Sequence, residues 1–281
     1  MNKKLDRRRK YYMILDCETA TLPCASSYEG KARQRVSIAK PLIYDFGYNI
    51  IDQSGKIYRR RSFLVSEIFS VPSVFNTAYY AQKRPQYLQK LRDGEIELKD
   101  WNSIAAIFEN DLQEVSAVGA YNSMFDFKKA IPFTELYISK LYSDDFFKWE
   151  AYQKKLCDRI AENFTPENER DFEGDVFRFR SHSYPLFDVW GLCCEHILNS
   201  DDFREQCHRE GWYSESGKYF KTSAEVAYRF IKQNSDFIES HTAIEDADIE
   251  SEIFSIVARK LKNKIPIGII YFPFRLVGRV Y

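Results

Sequence analysis

The sequence lacks any segment that is both long and apolar enough to cross a membrane. Its longest apolar run, residues 265–274, contains a glycine and two prolines, whereas a membrane helix needs about 20 mainly apolar residues. The basic start is followed by a short apolar run, 11–15, that is too brief for the apolar region of a secretory signal. We therefore expect a cytoplasmic protein with no membrane partner.

The sequence also has no net charge of either sign, because its 41 lysines and arginines balance its 41 aspartates and glutamates. This balance excludes a uniformly basic surface but permits local basic patches. Two such patches occur, a basic tail over residues 1–10 and three consecutive arginines at 59–61. Phosphate contact and simple solvation are both compatible with each patch, and the sequence leaves the two readings open.

Cysteine patterns typical of disulfide frameworks are absent, since none of the six cysteines forms a C-x-x-C pair. We expect reduced, mostly buried thiols. The best set of zinc ligands would be Cys193, Cys194, His196, Cys207 and His208. Its first two cysteines are adjacent, whereas structural zinc sites usually space them by two to four residues. The motifs G-x-S-x-G and H-E-x-x-H are also missing, which disfavours a serine hydrolase and a zinc protease.

Apolar runs and turn residues predict an α/β protein. Strands are predicted at 11–15, 42–51, 57–65, 117–120 and 186–189. Turn residues between the second and third strands predict a hairpin. Helices are predicted within 74–114, from Ser123 onward, from a Thr222-x-x-Glu225 capping box to about Gln233, and after His241. The resulting order is a mixed β-sheet flanked by helices.

Residues 11–263 are interpreted as one domain that carries two insertions. The stretch at about 144–180 is polar and acidic, and the stretch at about 200–221 contains turn-like serines and glycines. The apolar C-terminal tail, 264–281, is expected to form a final strand or an interface element.

Three groups of polar residues could carry chemistry. Asp16 and Glu18 come at the end of the first predicted strand, and side chains two apart on a strand share a face. Asn122 and Asp126 are four apart at a helix start, so they share a helix face. His241 precedes the last long helix. Each motif alone is weak evidence, because such residues also cap helices or lie on solvated surfaces.

The acid of the last helix that faces inward can be assigned from helical angles. At about 100° per residue, the apolar stripe within 249–257 centres at about 25°. Asp246 falls at about 60°, within this stripe, and Glu245 falls at its edge. Asp248 falls at about −100°, well outside it, and is predicted to be solvated. Asp246 is therefore the residue predicted to meet the strand pair.

Together, D-x-E at 16–18, N-x-x-x-D at 122–126 and H-x-x-x-x-D at 241–246 resemble the DEDDh family of 3′–5′ exonucleases. That family includes polymerase proofreading subunits and ribonuclease T. Its sister subclass has a tyrosine four residues before the last aspartate, where this chain has Thr242. The stretch 217–231 is similar to phage- or prophage-encoded members. The resemblance implies a ribonuclease H-like fold.

The resemblance also implies a mechanism. Two Mg²⁺ or Mn²⁺ ions would be held by four carboxylates, those of Asp16, Glu18, Asp126 and Asp246. His241 would take the proton from the attacking water. Thr19 and Asn122 would contact the terminal nucleotide. The expected reaction releases nucleoside 5′-monophosphates from DNA ends, with single-stranded DNA favoured.

Two alternatives remain open at the level of the sequence. One is a 3′–5′ exoribonuclease with the same site, since selectivity depends on contacts to the 2′ position. The other is a non-catalytic nucleic-acid-binding protein on the same fold. Aromatic residues that could stack on bases or pack in the core are Tyr79, Tyr80, Phe125 and Phe127.

Overall fold

A seven-stranded mixed sheet forms the centre of the computed structural model, which describes residues 5–6, 9–163, 175–262 and 264–281. Its strands are β1 (Tyr11–Thr21), β2 (Pro41–Asp52), β3 (Ile57–Val65), β4 (Glu97–Lys99), β5 (Ala117–Ala120), β6 (Val176–Phe179) and β7 (His182–Asp188). The strand order is β4-β3-β2-β1-β5-β7-β6. Strand β2 is antiparallel to β1 and β3, β6 is antiparallel to β7, and the remaining pairs are parallel.

Helices cover both faces of this sheet. They are α1 (Gly30–Ala39), α2 (Ser66–Phe69), α3 (Pro72–Phe75), α4 (Arg84–Arg92), α5 (Trp101–Leu112), α6 (Ser123–Phe125), α7 (Ile131–Leu141), α8 (Phe146–Asn163), α9 (Val189–Cys193), α10 (Asp201–Glu210), α11 (Ala224–Lys232), α12 (Ala243–Lys260) and α13 (Phe274–Val277). The predicted α/β class, with a mixed sheet between helices, is confirmed. None of the described helices is both long and apolar enough to span a bilayer.

Strand β1 separates two hydrophobic cores by its alternation of side chains. Tyr11 and Met13 belong to the core that α5 and α7 cover. Tyr12 and Ile14 point to the opposite face and belong to the core that α9, α11 and α12 cover. Because successive strand residues face opposite ways, the even-numbered residues of β1 up to the register shift after Glu18 face α12. Polar side chains at these positions of β1 therefore face α12.

Strand β1 is longer than the sequence predicts. It continues to Thr21 because Ala20 and Thr21 pair with Leu42 and Pro41 of β2. The polar residues expected at the strand end therefore lie within the strand. A further difference is β4, a short strand within the region predicted to be helical, 74–114.

The two predicted insertions contribute to the fold. The first supplies α8 and β6, and β6 extends the sheet as an edge strand beside β7. The second supplies α10, whose Phe203 and Cys207 are buried in the core under α12. The C-terminal tail forms isolated bridges through Gly268 to Phe187 and through Arg279 to Tyr219. Residues 1–4 and 7–8 of the predicted basic tail, 164–174 of the first insertion, and residue 263 lie outside the described residues.

The helix-capping prediction at Thr222 was wrong by one residue. Ser223 is the N-cap of α11, and its Oγ accepts a hydrogen bond from the backbone N–H of Val226. Thr222 is buried, and its hydroxyl accepts a hydrogen bond from Trp190 Nε1 at 3.0 Å. The Thr222 hydroxyl, which the motif assigned to the helix cap, therefore binds the Trp190 indole instead. Helix α11 ends at Lys232 with Gln233 as its C-cap, which agrees with the predicted end at about Gln233.

The arginines at 59–61 are engaged in ion pairs within the protein. Arg59, which is buried, and Arg61 both contact Asp111 of α5. Arg60 contacts Asp248 of α12 at 3.0 Å. These arginines therefore hold β3 against two helices instead of forming a free phosphate-binding patch. The side chain of Asp248 is 36% exposed, in agreement with the predicted solvation, and it is also paired with Arg60 and with the Asn49 amide.

Gly47 of β2 permits a close approach between the sheet and α12. A Cβ atom at this position would lie 2.4 Å from the backbone nitrogen of Ile244. That separation is far below van der Waals contact, so any side chain there would push the helix away from β2.

We predict that Gly47→Ala lowers the free energy of unfolding by about 1–3 kcal/mol, the usual cost of overpacking. Ser62→Ala is the matched control, because Ser62 pairs with Gly47 across the strands and its buried hydroxyl has no hydrogen-bond partner among the described residues. This control should not lower the free energy of unfolding, because it only removes a buried hydroxyl that lacks a partner. Urea denaturation measures both variants. Equal stability of the two would contradict the close packing of α12 on β2.

Candidate active site

Two acids of β1 face the start of α12. Asp16 and Glu18 continue the alternation that places Tyr12 and Ile14 on the α12 side of the sheet. The N-terminus of α12 is fixed above the neighbouring strand, because Asp45 of β2 accepts a hydrogen bond from the Ala243 backbone N–H at 2.9 Å. The strand acids and the first turn of α12 are therefore held together by the sheet.

Glu18, His241 and Asp246 form a compact group at this point. One ligand atom from each of these side chains lies within 4.8 Å of the other two. In the part of the chain that the structure describes, this is the one group of three or more histidine, cysteine and acidic side chains that meets that distance. Asp246 is buried, as the helical angles predicted. The first and third sequence motifs thus converge.

Asp126 adds the second motif to the same region. It lies at the start of a π-helical turn, residues 126–130, that links α6 to α7. Its side chain is buried beside β1, where it accepts hydrogen bonds from the backbone and the thiol of Cys17. Helical turns of this wide type are often found at functional sites. Asp16 and Asp126 lie outside the compact group of three, but the charges of Asp126, Asp246 and Glu18 all act on Asp16.

The acids of this cluster are mutually destabilised as anions. Burial raises the pKa of Asp126 and of Asp246 to about 8. The pKa of Asp16 is raised well above its usual value, first by burial and then by the charges of Glu250, Asp126, Asp246 and Glu18. Such shifts are expected when several carboxylates share one poorly solvated pocket. Because the charges of Asp126, Asp246 and Glu18 all act on Asp16, we assign Asp16 and Asp126 to the same acidic cluster as the compact group.

The donor set suits hard divalent cations. Within the described part of the chain, no hydrogen-bond donor contacts the buried Oδ1 atoms of Asp126 and Asp246. A buried carboxylate oxygen without a partner is costly, and a bound cation satisfies it. Mg²⁺ and Mn²⁺ prefer oxygen ligands, which all four motif carboxylates supply. The residues present therefore fit the cations that the resemblance implies.

Glu250 is a member of the cluster that the sequence motifs did not identify. It is buried one helical turn after Asp246, and its carboxylate accepts a hydrogen bond from the Tyr121 backbone N–H at 3.0 Å. Burial and the nearby charge of Asp126 raise its pKa well above the usual value. Its four-residue spacing from Asp246 was a usable signal, since residues four apart share a helix face.

His241 is held by contacts on several sides. Its ring stacks on Tyr80 with centroids 4.4 Å apart and planes inclined by 15°. Its backbone has a φ of 51°, a left-handed conformation, and Lys83 donates a hydrogen bond to the adjacent Ser240 carbonyl. Burial, followed by the charge of Lys83, lowers the pKa of His241. This shift favours the neutral imidazole, the form that can accept a proton.

The two residues predicted to contact the terminal nucleotide line separate cavities. Thr19 lines a cavity of about 520 Å³ together with Phe125 and the exposed Tyr79. The exposed Asn122 lines another, of about 580 Å³. Asn122 occupies the N-cap position of α6, but its side chain makes no capping hydrogen bond. Phe127 is buried in the core, so it is unavailable for base stacking.

Comparison of the chain with protein-family models, with curated proteins and with solved structures gives no match. The donor set itself indicates the chemistry. Clustered carboxylate oxygens beside a neutral imidazole can hold divalent cations and accept a proton from water. The zinc ligand set considered from the sequence does not form a comparable group among the described residues, and Cys193, Cys194 and Cys207 are free, buried thiols.

We predict that chelator-treated protein loses stability as the pH rises from about 4 to about 8. The folded state binds protons at Asp126 and Asp246 up to about pH 8, whereas the unfolded chain releases them near the ordinary aspartate pKa of 3.8. The stabilising contribution is complete below the unfolded pKa and disappears as the pH passes the folded pKa. Thermal unfolding in EDTA across this range measures the effect.

The same experiment includes metal and a control variant. Added Mn²⁺ should raise Tm more at pH 8 than at pH 5, because the ligands bind the cation in their deprotonated form. Asp246→Asn should reduce the slope in EDTA and diminish the gain with Mn²⁺. Asp248→Asn, on the same helix but outside the cluster, should keep the Mn²⁺ gain. A Tm in EDTA that stays constant or increases toward pH 8 would contradict the proposed electrostatics.

Proposed function

We propose that this chain is a metal-dependent 3′–5′ exonuclease of the DEDDh type. The observation that carries the proposal is the convergence of all three motifs on one acidic cluster. Glu18, His241 and Asp246 lie within 4.8 Å of one another, and the charges of Asp126 and Asp246 act on Asp16. These five residues are the ones that the family resemblance selects from widely separated parts of the sequence.

The topology supports a ribonuclease H-like fold as part of this proposal. The central order β3-β2-β1-β5-β7 has β2 as its single antiparallel member. Asp16 and Glu18 lie in β1 just beyond its last pair with β5, Ile14–Gly119, and Asp126 follows the carboxyl end of β5. In open α/β sheets, ligand sites commonly occur at such a crevice beyond the carboxyl ends of the strands.

Each site residue has a defined part in the proposed reaction. Asp16, Glu18, Asp126 and Asp246 would hold two Mg²⁺ or Mn²⁺ ions. When bound, such ions stabilise negative charge on the attacking and leaving oxygens of a phosphodiester displacement. The neutral imidazole of His241 accepts the proton of the attacking water, and its stack on Tyr80 fixes the plane of the ring.

We predict that His241→Gln lowers kcat by about 10²- to 10⁴-fold, the usual contribution of a general base, while retaining the stabilisation by Mn²⁺. The two measurements separate two roles of the imidazole, because its nitrogen is also close enough to the acids to serve as a ligand. Steady-state kinetics and thermal unfolding with Mn²⁺ should be run on the same preparation. Loss of the Mn²⁺ gain would contradict the assignment as a base.

Digestion of end-labelled oligonucleotides tests the proposed activity. With Mg²⁺ or Mn²⁺, 5′-labelled single-stranded DNA should give a ladder shortened from the 3′ end, and 3′-labelled DNA should release mononucleotide. Asp16→Asn should lower the rate by at least about 10³-fold, since it removes several kcal/mol of charge stabilisation. Asp248→Asn should retain activity. Endonucleolytic fragments, or full activity in an Asp16→Asn, Asp126→Asn double variant, would contradict the proposal.

Assays with matched RNA substrates and a binding measurement distinguish the proposed DNA exonuclease from its two alternatives. Faster trimming of RNA than of DNA would assign an exoribonuclease with the same site. Tight binding of oligonucleotides without hydrolysis under any divalent cation would assign a non-catalytic binding protein. The clustered buried acids favour catalysis, because carboxylates repel phosphates and give a simple binding protein no advantage.

A further inference from the structure

An aromatic cavity lies beside the acidic cluster and is unused by the proposed reaction. It encloses about 580 Å³, within the range of small-molecule and nucleotide sites. Five aromatic residues contribute to its lining, Tyr121, Trp190, Tyr219, Phe220 and Phe274. The Trp190 ring is near-parallel to Tyr121 and to Phe274, with centroids 6.4 and 6.3 Å apart. The lining of the cavity is therefore mainly aromatic.

The polar groups of the cavity match a nucleic-acid strand. Lys221 is exposed and is the cation among the described lining residues, which include no carboxylate. Ser214, Ser216 and Ser223 add hydroxyl groups. A set of flat rings with one lysine and several hydroxyls provides stacking surfaces for bases and donors for phosphate oxygens. A plain apolar ligand would have no use for these donors.

The wall of the cavity is hydrogen-bonded to the acidic cluster. Tyr121 donates its backbone N–H to Glu250 of the acidic cluster and its hydroxyl to the Thr222 carbonyl at 2.9 Å. Thr222 in turn accepts the hydrogen bond of Trp190. Asn122, which opens the second motif, lines the cavity as well. One hydrogen-bonded wall therefore extends from the acids to the aromatic rings.

The second insertion and the C-terminal tail build the outer side of this cavity. Tyr219 forms a bridge with Arg279, and the Val280 backbone N–H donates to the Lys218 carbonyl at 3.1 Å. The Tyr219 and Phe274 rings are in edge contact with centroids 4.8 Å apart. Two segments that the motifs leave unexplained therefore meet at this one place.

We propose that this cavity binds unpaired bases of the strand next to the nucleotide that occupies the acidic cluster. The inference rests on the proposed exonuclease function and extends it to the substrate class, a single strand of several unpaired nucleotides. Stacking on protein rings depends little on base identity or on the sugar. The cavity should therefore improve the use of longer strands without sequence preference.

The test measures kcat/KM for thymidine oligonucleotides of two, four and six nucleotides, with matched uridine RNA. In the native protein, kcat/KM should increase about 5- to 100-fold with length, the range expected for one stacked base. Phe274→Leu should abolish this gain and Phe274→Trp should restore it. Lys221→Gln should reduce both the gain and its dependence on salt. The gain should be equal for DNA and RNA.

Two matched variants and one binding measurement complete the design. Tyr271→Leu and Lys218→Gln, in the same segments but outside the cavity lining, should keep the full gain. An undiminished gain in Phe274→Leu, or a gain restricted to one sugar, would overturn the inference. If no oligonucleotide is hydrolysed, the proposed function fails separately. Fluorescence anisotropy of a labelled hexanucleotide then tests whether the cavity binds the strand. Unchanged affinity in Phe274→Leu would also overturn the inference.

Discussion

The constraint on which the site depends is the burial of several carboxylates within one poorly solvated pocket. Asp16, Asp126, Asp246 and Glu250 each have a pKa raised chiefly by desolvation. Without cations, such a cluster opposes folding at neutral pH, so the surrounding sheet must supply the stability. Proteins tolerate this kind of local cost mainly where it serves function. The arrangement makes chemical sense when divalent cations neutralise the acids.

Much of this site followed from simple periodicity. Asp16 and Glu18 share a face because strand residues two apart do so, and the structure directs that face toward α12. Asp246 lies on the buried stripe of its helix, as its angle indicated. The short strand β5 and the helix that begins at Ser123 were equally clear, because a short apolar run is followed by the possible N-cap Asn122. Local patterns therefore predicted the mixed sheet and its main elements.

Other features depended on contacts between residues distant in the sequence. Strand β1 extends through polar Thr21 because β2 pairs with it, which no local pattern reveals. The cap of α11 shifted by one residue because Trp190 occupies the Thr222 hydroxyl. The spacing of Glu250 from Asp246 places both on one helix face, but its partner, the Tyr121 backbone N–H, is distant in the sequence. Each of these features depends on a contact with a residue that is distant in the sequence. A local sequence pattern does not identify that residue.

Titration calorimetry with Mn²⁺ at pH 8 tests the central claim most directly. If the acids form one divalent-cation site, the native chain should bind about two Mn²⁺ ions with release of protons, because ligands with raised pKa values deprotonate on binding. Repeating the titration in buffers of different ionisation enthalpy counts those protons. Asp126→Asn should weaken the binding and reduce the proton release. Absence of saturable binding, or binding unchanged by Asp126→Asn, would contradict the account.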